Sequence, residues 1–73
     1  MDPTELRRLL TATEHQIAQG EILIQNQRWR IQQLKRNGDD IADADEVLRS
    51  LLQNQIFQHQ HRIKLKRLLG EEE

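Results

Sequence analysis

Apolar side chains recur at alternating steps of four and three residues through the first half of the chain. The large members of this series are Leu6, Leu10, Ile17, Ile24, Ile31 and Leu34. Such heptad spacing is typical of an α-helix that packs along its whole length against another helix. Thr13, Gly20 and Gln27 occupy positions of the same series. The spacing therefore predicts a long helix whose contact face is interrupted by small and polar side chains.

The sequence also marks where this first helix begins and ends. Asp2 is a suitable N-cap residue, Pro3 suits the first helical position, and Glu5 stands three residues after the cap, as in a capping box. Gly38, directly after Asn37, predicts the end of the helix, because glycine readily adopts the left-handed conformation that closes helices.

A second helix is expected after this short turn. Asp39 or Asp40 is the expected cap at its start, and Gly70 is its expected end. The fold prediction is therefore an all-α, antiparallel two-helix hairpin, with helices at about residues 3–36 and 41–69.

The second helix has a wider apolar face than one partner helix requires. The face covers about half of the helix circumference at 100° per residue, and it comprises Ile41, Ala44, Val47, Leu48, Leu51, Leu52, Ile56, His59 and Ile63. We expect one hairpin domain, residues 1–73, with a frayed tail at 71–73. A chain of this length buries little core by itself, and it has no cysteine to form a stabilising disulfide. We therefore expect a homodimer of hairpins that forms a four-helix bundle or coiled coil.

Composition and motifs argue against several classes of function. The formal net charge of −1 gives no global basic field for nucleic acid, and no apolar run is long enough to span a membrane. We expect no enzyme and no cofactor, because there is no phosphate-binding glycine loop and no nucleophile–base pair. His59 and His61 point to roughly opposite sides of a helix, and His15 lies on the other helix, so we expect no metal site. The start of the chain is unlike a signal peptide, which favours a cytoplasmic location.

Residues 17–48 carry a combined pattern that resembles a group of small bacterial proteins. The pattern reads Ile17-Ala18-x-Gly20-Glu21-x-x-Ile24-x-x-Gln27-Arg28-x-x-Ile31-x-x-Leu34-x-x-x-Gly38-x-Asp40-x-x-x-Ala44-x-x-Val47-Leu48. It is similar to small uncharacterised helical-hairpin proteins of alphaproteobacteria, for which no activity is established. The resemblance implies a helical hairpin of bacterial cytoplasmic origin.

Four residues are candidates for fixing how the helices pack. Gly20 lacks a side chain on the contact face, which permits close approach of the other helix at a cost of about 1 kcal/mol in helix propensity. The alternative is that Gly20 is a hinge in the first helix. Gln27 and Gln55 fall on apolar faces, where a polar side chain either fixes register and oligomeric state or marks a hydrated edge. Gly38 determines the turn.

The aromatic side chains give the most informative functional signal. Ile22 and Trp29 are seven residues apart on the side of the first helix opposite its contact face, and Phe57 lies off the apolar face of the second helix. Because tryptophan is enriched at interface hot spots, we interpret these three residues as a surface for an unidentified protein partner. The alternative is that Trp29 lies flat on the bundle under Arg28 or Arg36. The predicted function is a non-enzymatic protein-interaction, scaffold or adaptor module that acts through helix faces.

Basic side chains favour an alternative function. One group at the open end of the hairpin comprises Arg7, Arg8, Arg62, Lys64, Lys66 and Arg67. Together with neighbouring glutamines, such a group is suited to nucleic-acid phosphates and bases. The hairpin architecture is also similar to that of the plasmid RNA-binding regulator Rop, without a motif match. The alternative is therefore a Rop-like RNA- or DNA-binding regulator, against which the net charge and the acidic turn region argue.

Overall fold

The chain forms two antiparallel helices joined by a short turn. The computed structural model describes residues 2–70 and contains α1 at Pro3–Arg36 and α2 at Ala42–Leu68. The helices pack side by side in a rod of 53 × 19 × 14 Å. The predicted two-helix hairpin is therefore confirmed, with both ends of α2 within one residue of the expected positions. The frayed tail predicted at 71–73 lies outside the described residues.

Carboxylate side chains lie at the starts of both helices. The Asp2 side chain accepts a hydrogen bond from the backbone N–H of Thr4 at 3.3 Å, and Pro3 follows as the first helical residue. At α2, the Asp40 carboxylate accepts a hydrogen bond from the backbone N–H of Ala42 at 3.0 Å. Each bond satisfies a donor that the first turn of a helix leaves free. The N-cap of α2 is Ile41, which makes no side-chain cap hydrogen bond, so the expectation that Asp39 or Asp40 caps this helix is wrong, and Asp40 stands one residue before the cap.

Gly38 ends α1 with a left-handed backbone conformation, φ = 75°. Its N–H donates to the Lys35 carbonyl at 3.1 Å, and the N–H of Asp39 donates to the Leu34 carbonyl at 2.9 Å. This pair of bonds is a Schellman motif, which satisfies carbonyls that a helix end leaves free. The chain is thereby reversed within residues 37–41, and the two helices run antiparallel.

The contact face of α1 follows the predicted four–three series. Its buried residues are Leu6, Leu10, Thr13, Ile17 and Ile31. The inward positions of α2 have the same spacing and are occupied by Ala44, Leu48, Leu51, Gln55, Gln58, Arg62, Leu65 and Leu69, all buried or half-buried. Residues that face each other across the helix contact have sequence numbers that sum to 75. Examples are Leu10 with Leu65 and Gly20 with Gln55. The two antiparallel helices thus pack against each other through faces that share heptad spacing.

The apolar face expected for α2 is only partly turned toward α1. Four of its members are exposed on the single hairpin, namely Val47, Ile56, His59 and Ile63. Leu65 is instead the most buried apolar residue, and it packs with Leu6 and Leu10. Because this leucine cluster fixes the rotation of α2, the middle of the helix turns Gln55 inward and Ile56 outward.

The hairpin is elongated and encloses little apolar volume. Its radius of gyration is 16.3 Å, whereas a compact domain of 73 residues has a value of about 11 Å. Six apolar residues are buried, and none of the large side chains among residues 2–70 is fully enclosed. The two helices therefore share a line of contact, and many apolar side chains face water.

Candidate interaction surfaces

Gln55 connects the two helices at the position where α1 has no side chain. Its amide Nε2 donates to the Ile17 carbonyl oxygen at 2.7 Å, and the residue is buried. A Cβ atom at Gly20 would lie 2.9 Å from Gln55 Cδ and closer still to Gln55 Oε1. Gly20 therefore leaves open the space that the Gln55 amide occupies, which accounts for a glycine inside a continuous helix.

Gln27 makes a second polar link between the helices, seven residues along α1 from Gly20. Its Nε2 donates to the Ala44 carbonyl oxygen at 2.8 Å. Every buried side-chain nitrogen or oxygen among residues 2–70 has a hydrogen-bond partner. A shift of one helix along the other would leave the Gln55 amide buried and unpaired, at a cost of about 1–3 kcal/mol. Gln27 and Gln55 thus each make a side-chain hydrogen bond between the two helices.

One side of the helix contact, here called the charged flank, is strongly polar. It is formed by the heptad e positions of both helices, occupied by Arg7, Glu14, Glu21, Arg28, Lys35, Asp45, Leu52, His59 and Lys66. The Arg62 guanidinium Nε donates to the Glu14 carboxylate at 3.1 Å across the two helices at this flank. Burial of this flank against another protein would require the desolvation of many charges.

The opposite side, here called the apolar flank, has a different composition. It is formed by the heptad g positions of both helices, occupied by Leu9, Gln16, Leu23, Arg30, Val47, Asn54, His61 and Leu68. None of these eight residues is acidic, and the four apolar ones are between 40 and 61 % exposed. Leu23 and Val47 line a groove between the helices, together with Leu51 and Trp29. Both helices therefore contribute apolar side chains to the same side of the rod.

The three residues predicted to bind a protein partner are solvent-exposed, but they form two separate patches. Ile22, Trp29 and Phe57 are 59, 64 and 69 % exposed. Ile22 and Trp29 are one heptad apart on the outer side of α1. Phe57 is level with residue 18 of α1, about 16 Å along the rod from Trp29 at 1.5 Å per residue. It shares a shallow depression on α2 with Ile56.

The basic residues of the alternative function are not equivalent. Arg62 is half-buried and paired with Glu14, and Lys66 is half-buried on the charged flank. The exposed members of the group are Arg7, Arg8, Lys64 and Arg67. The positive charge that is available to a phosphate backbone at this end is thus lower than the sequence indicates.

No group of three His, Cys, Asp or Glu side chains in residues 2–70 is arranged to hold a metal ion. Within the same range, neither helix is long and apolar enough to cross a membrane. Comparisons of the chain with known protein families, with curated proteins and with solved structures found no match.

Leu9, Leu23 and Leu68 are candidate interface residues that were not recognised from the sequence. Each stands one position before a residue of the helix contact, as Leu23 does before Ile24. This position is the heptad g position, and the g positions of both helices in an antiparallel hairpin lie on the same side. The apolar flank is therefore apparent once the two helices are aligned, and it is not visible in either helix alone.

Proposed function

We propose that this chain is a small, non-enzymatic protein-interaction module that works as a homodimer, with two hairpins in a four-helix bundle. The supporting observation is the apolar surface that the single hairpin leaves in water. Nine large apolar residues are at least 40 % exposed, namely Leu9, Ile22, Leu23, Trp29, Val47, Ile56, Phe57, Ile63 and Leu68. Exposed apolar surface that is continuous over several residues is typical of interaction sites.

The total surface area of the hairpin supports the same proposal. The hairpin exposes 5878 Å², whereas a compact monomer of its mass, 8.7 kDa, exposes about 4700 Å². A compact dimer of twice this mass exposes about 7900 Å². Two separate hairpins expose about 3900 Å² more than that, and obligate homodimers bury areas of this size. One further copy of the chain is therefore sufficient to restore an ordinary surface area.

Such a dimer retains an outer surface for another protein. Ile22 and Trp29 occupy outward positions of α1 one heptad apart, and the Trp29 side chain also borders the groove between the helices. A tryptophan that is not needed for the helix contact is a suitable anchor for a pocket on a partner. We place the site for an unidentified protein partner on this outer side of α1, with Phe57 as a separate second contact.

Sedimentation equilibrium of the purified chain at micromolar concentrations tests the homodimer. The expected mass is twice the 8.7 kDa of one chain, and the melting temperature should rise with protein concentration, because association stabilises the folded state. A monomer that is folded and whose melting does not depend on concentration contradicts the proposal.

A further inference from the structure

We infer that the apolar flank is the surface on which the second copy docks, so that the two hairpins meet through Leu9, Leu23, Val47 and Leu68. This inference rests on the proposed homodimer and assigns its interface to one of several exposed apolar surfaces. The occupant is a second copy of the chain, because the area that the hairpin leaves exposed matches what a homodimer buries.

The contrast in charge between the two flanks selects the apolar flank. Seven of the nine positions of the charged flank carry Asp, Glu, Lys or Arg, whereas Arg30 is the one such residue among the eight positions of the apolar flank. Burial of ionised groups costs several kcal/mol for each group that lacks a partner. The flank with fewer charges is therefore the less costly one to remove from water.

The arrangement of the apolar flank suits a four-helix bundle. Leu9 and Leu23 come from α1, while Val47 and Leu68 come from α2, and all four are on the same side of the helix contact. A second hairpin on this side contacts both helices at once, which is how hairpins combine into bundles. The same patch serves on both copies, as two-fold symmetry requires.

The other exposed apolar residues do not form a comparable surface. Ile56 and Ile63 lie on α2 beyond Leu52 of the charged flank, so α1 adds no apolar side chain beside them. Ile22 lies on the outer side of α1 alone, whereas Trp29 also borders the groove that Leu23 and Val47 line. A partner that docks on Ile22, or on Ile56 and Ile63, contacts one helix, and such a contact buries less area than the hairpin leaves exposed.

The test compares two glutamate substitutions by sedimentation equilibrium of the full chain. Leu23→Glu places a carboxylate on the apolar flank, and Ile56→Glu is the matched control, since both residues are mid-helix and about half exposed. Leu23→Glu buries two carboxylates per dimer and should weaken self-association at least about 100-fold. Ile56→Glu should change it less than about threefold.

The outcomes distinguish this inference from the proposed homodimer. A wild-type chain that is monomeric overturns both. Dimerisation that survives Leu23→Glu but is lost in Ile56→Glu overturns the apolar flank and leaves the homodimer in place. Dimerisation that survives both substitutions also overturns the apolar flank.

A second measurement covers the case in which Leu23→Glu fails to fold. The chain has no cysteine, so single cysteines can be introduced at exposed sites as reporters. Gln16→Cys lies on the apolar flank and Gln25→Cys lies on the far side of α1. Thiol modification at residue 16 should slow at least about tenfold as the protein concentration rises through the dimerisation range, whereas modification at residue 25 should not change. Equal rates at both sites in the dimer overturn the inference.

Discussion

The Gln55 amide occupies the space that a side chain at residue 20 would need, so Gly20 and Gln55 are complementary positions on opposite helices. The glycine lowers the helix propensity of α1 by about 1 kcal/mol relative to alanine. In return, the buried side chain of Gln55 reaches the Ile17 carbonyl and makes a hydrogen bond between the helices. The two residues are therefore expected to be coupled energetically.

The first prediction concerns the sign of this coupling. Gly20→Ala should destabilise the hairpin by about 1 kcal/mol, because the new methyl group displaces the Gln55 amide and leaves it buried without a partner. In a Gln55→Ala background the same substitution should stabilise by about 1 kcal/mol, because helix propensity is then the only remaining effect. Urea denaturation of the four proteins measures both values. The same sign in both backgrounds would contradict the contact.

The second prediction concerns the turn. Gly38→Ala should destabilise the hairpin by about 1–2 kcal/mol, because residue 38 has φ = 75°, where a Cβ atom is unfavourable. The cost is purely conformational, since no atom outside residues 37–39 lies within 4 Å of the added Cβ. Gly38→Asn should cost less, because asparagine tolerates left-handed backbone. Thermal denaturation compares the three proteins, and equal stability of all three would show that residue 38 is not left-handed in solution.

The third prediction concerns the leucine cluster at the open end. Leu65→Ala should cost about 2–4 kcal/mol, because it empties a site packed against Leu6 and Leu10. Ile63→Ala is the control, two residues away and 43 % exposed, and should cost less than about 1.5 kcal/mol. Denaturant unfolding monitored by circular dichroism gives both values. Similar losses in the two variants would mean that α2 is rotated about its axis and that Leu65 does not pack against Leu6 and Leu10.

The fourth prediction concerns the outer side of α1. Trp29→Ala should abolish capture of a protein partner from a host lysate, because the exposed indole is the proposed anchor. The loss of stability should stay below about 1 kcal/mol, since the indole only borders the groove that Leu23 and Val47 line. Phe57→Ala should weaken capture less, since Phe57 lies about 16 Å along the rod from Trp29. Quantitative pull-down and melting curves are measured on the same protein samples. A large drop in the melting temperature of Trp29→Ala would place the indole in a folded core.

The two helices differ in how far their sequences predict their packing. In α1, six of the nine positions of one heptad series carry large apolar side chains, so a single rotation of the helix is compatible with burial. In α2, the spacing of Leu51, Leu52 and Ile56 is compatible with two rotations of the helix about its axis, which differ by about one residue. Periodicity alone does not distinguish between these two rotations. One rotation of α2 is selected by the packing of Leu65 against Leu6, which is a tertiary contact between distant parts of the chain. The exposure of Trp29 could be predicted from the sequence, because it depends only on the heptad spacing of α1.

The position of the leucine cluster has a consequence for the kinetics of folding. Leu34 and Ile41, beside the turn, close the shortest loop in the hairpin, whereas Leu6 and Leu69 close one that includes most of the chain. Loop closure costs least for short loops, so helix pairing is expected to begin at the turn and to reach the open end last. Contacts that form after the transition state govern the rate of unfolding rather than of folding. Loss of the Leu65 side chain should therefore shorten the lifetime of the folded hairpin while leaving its rate of formation nearly unchanged.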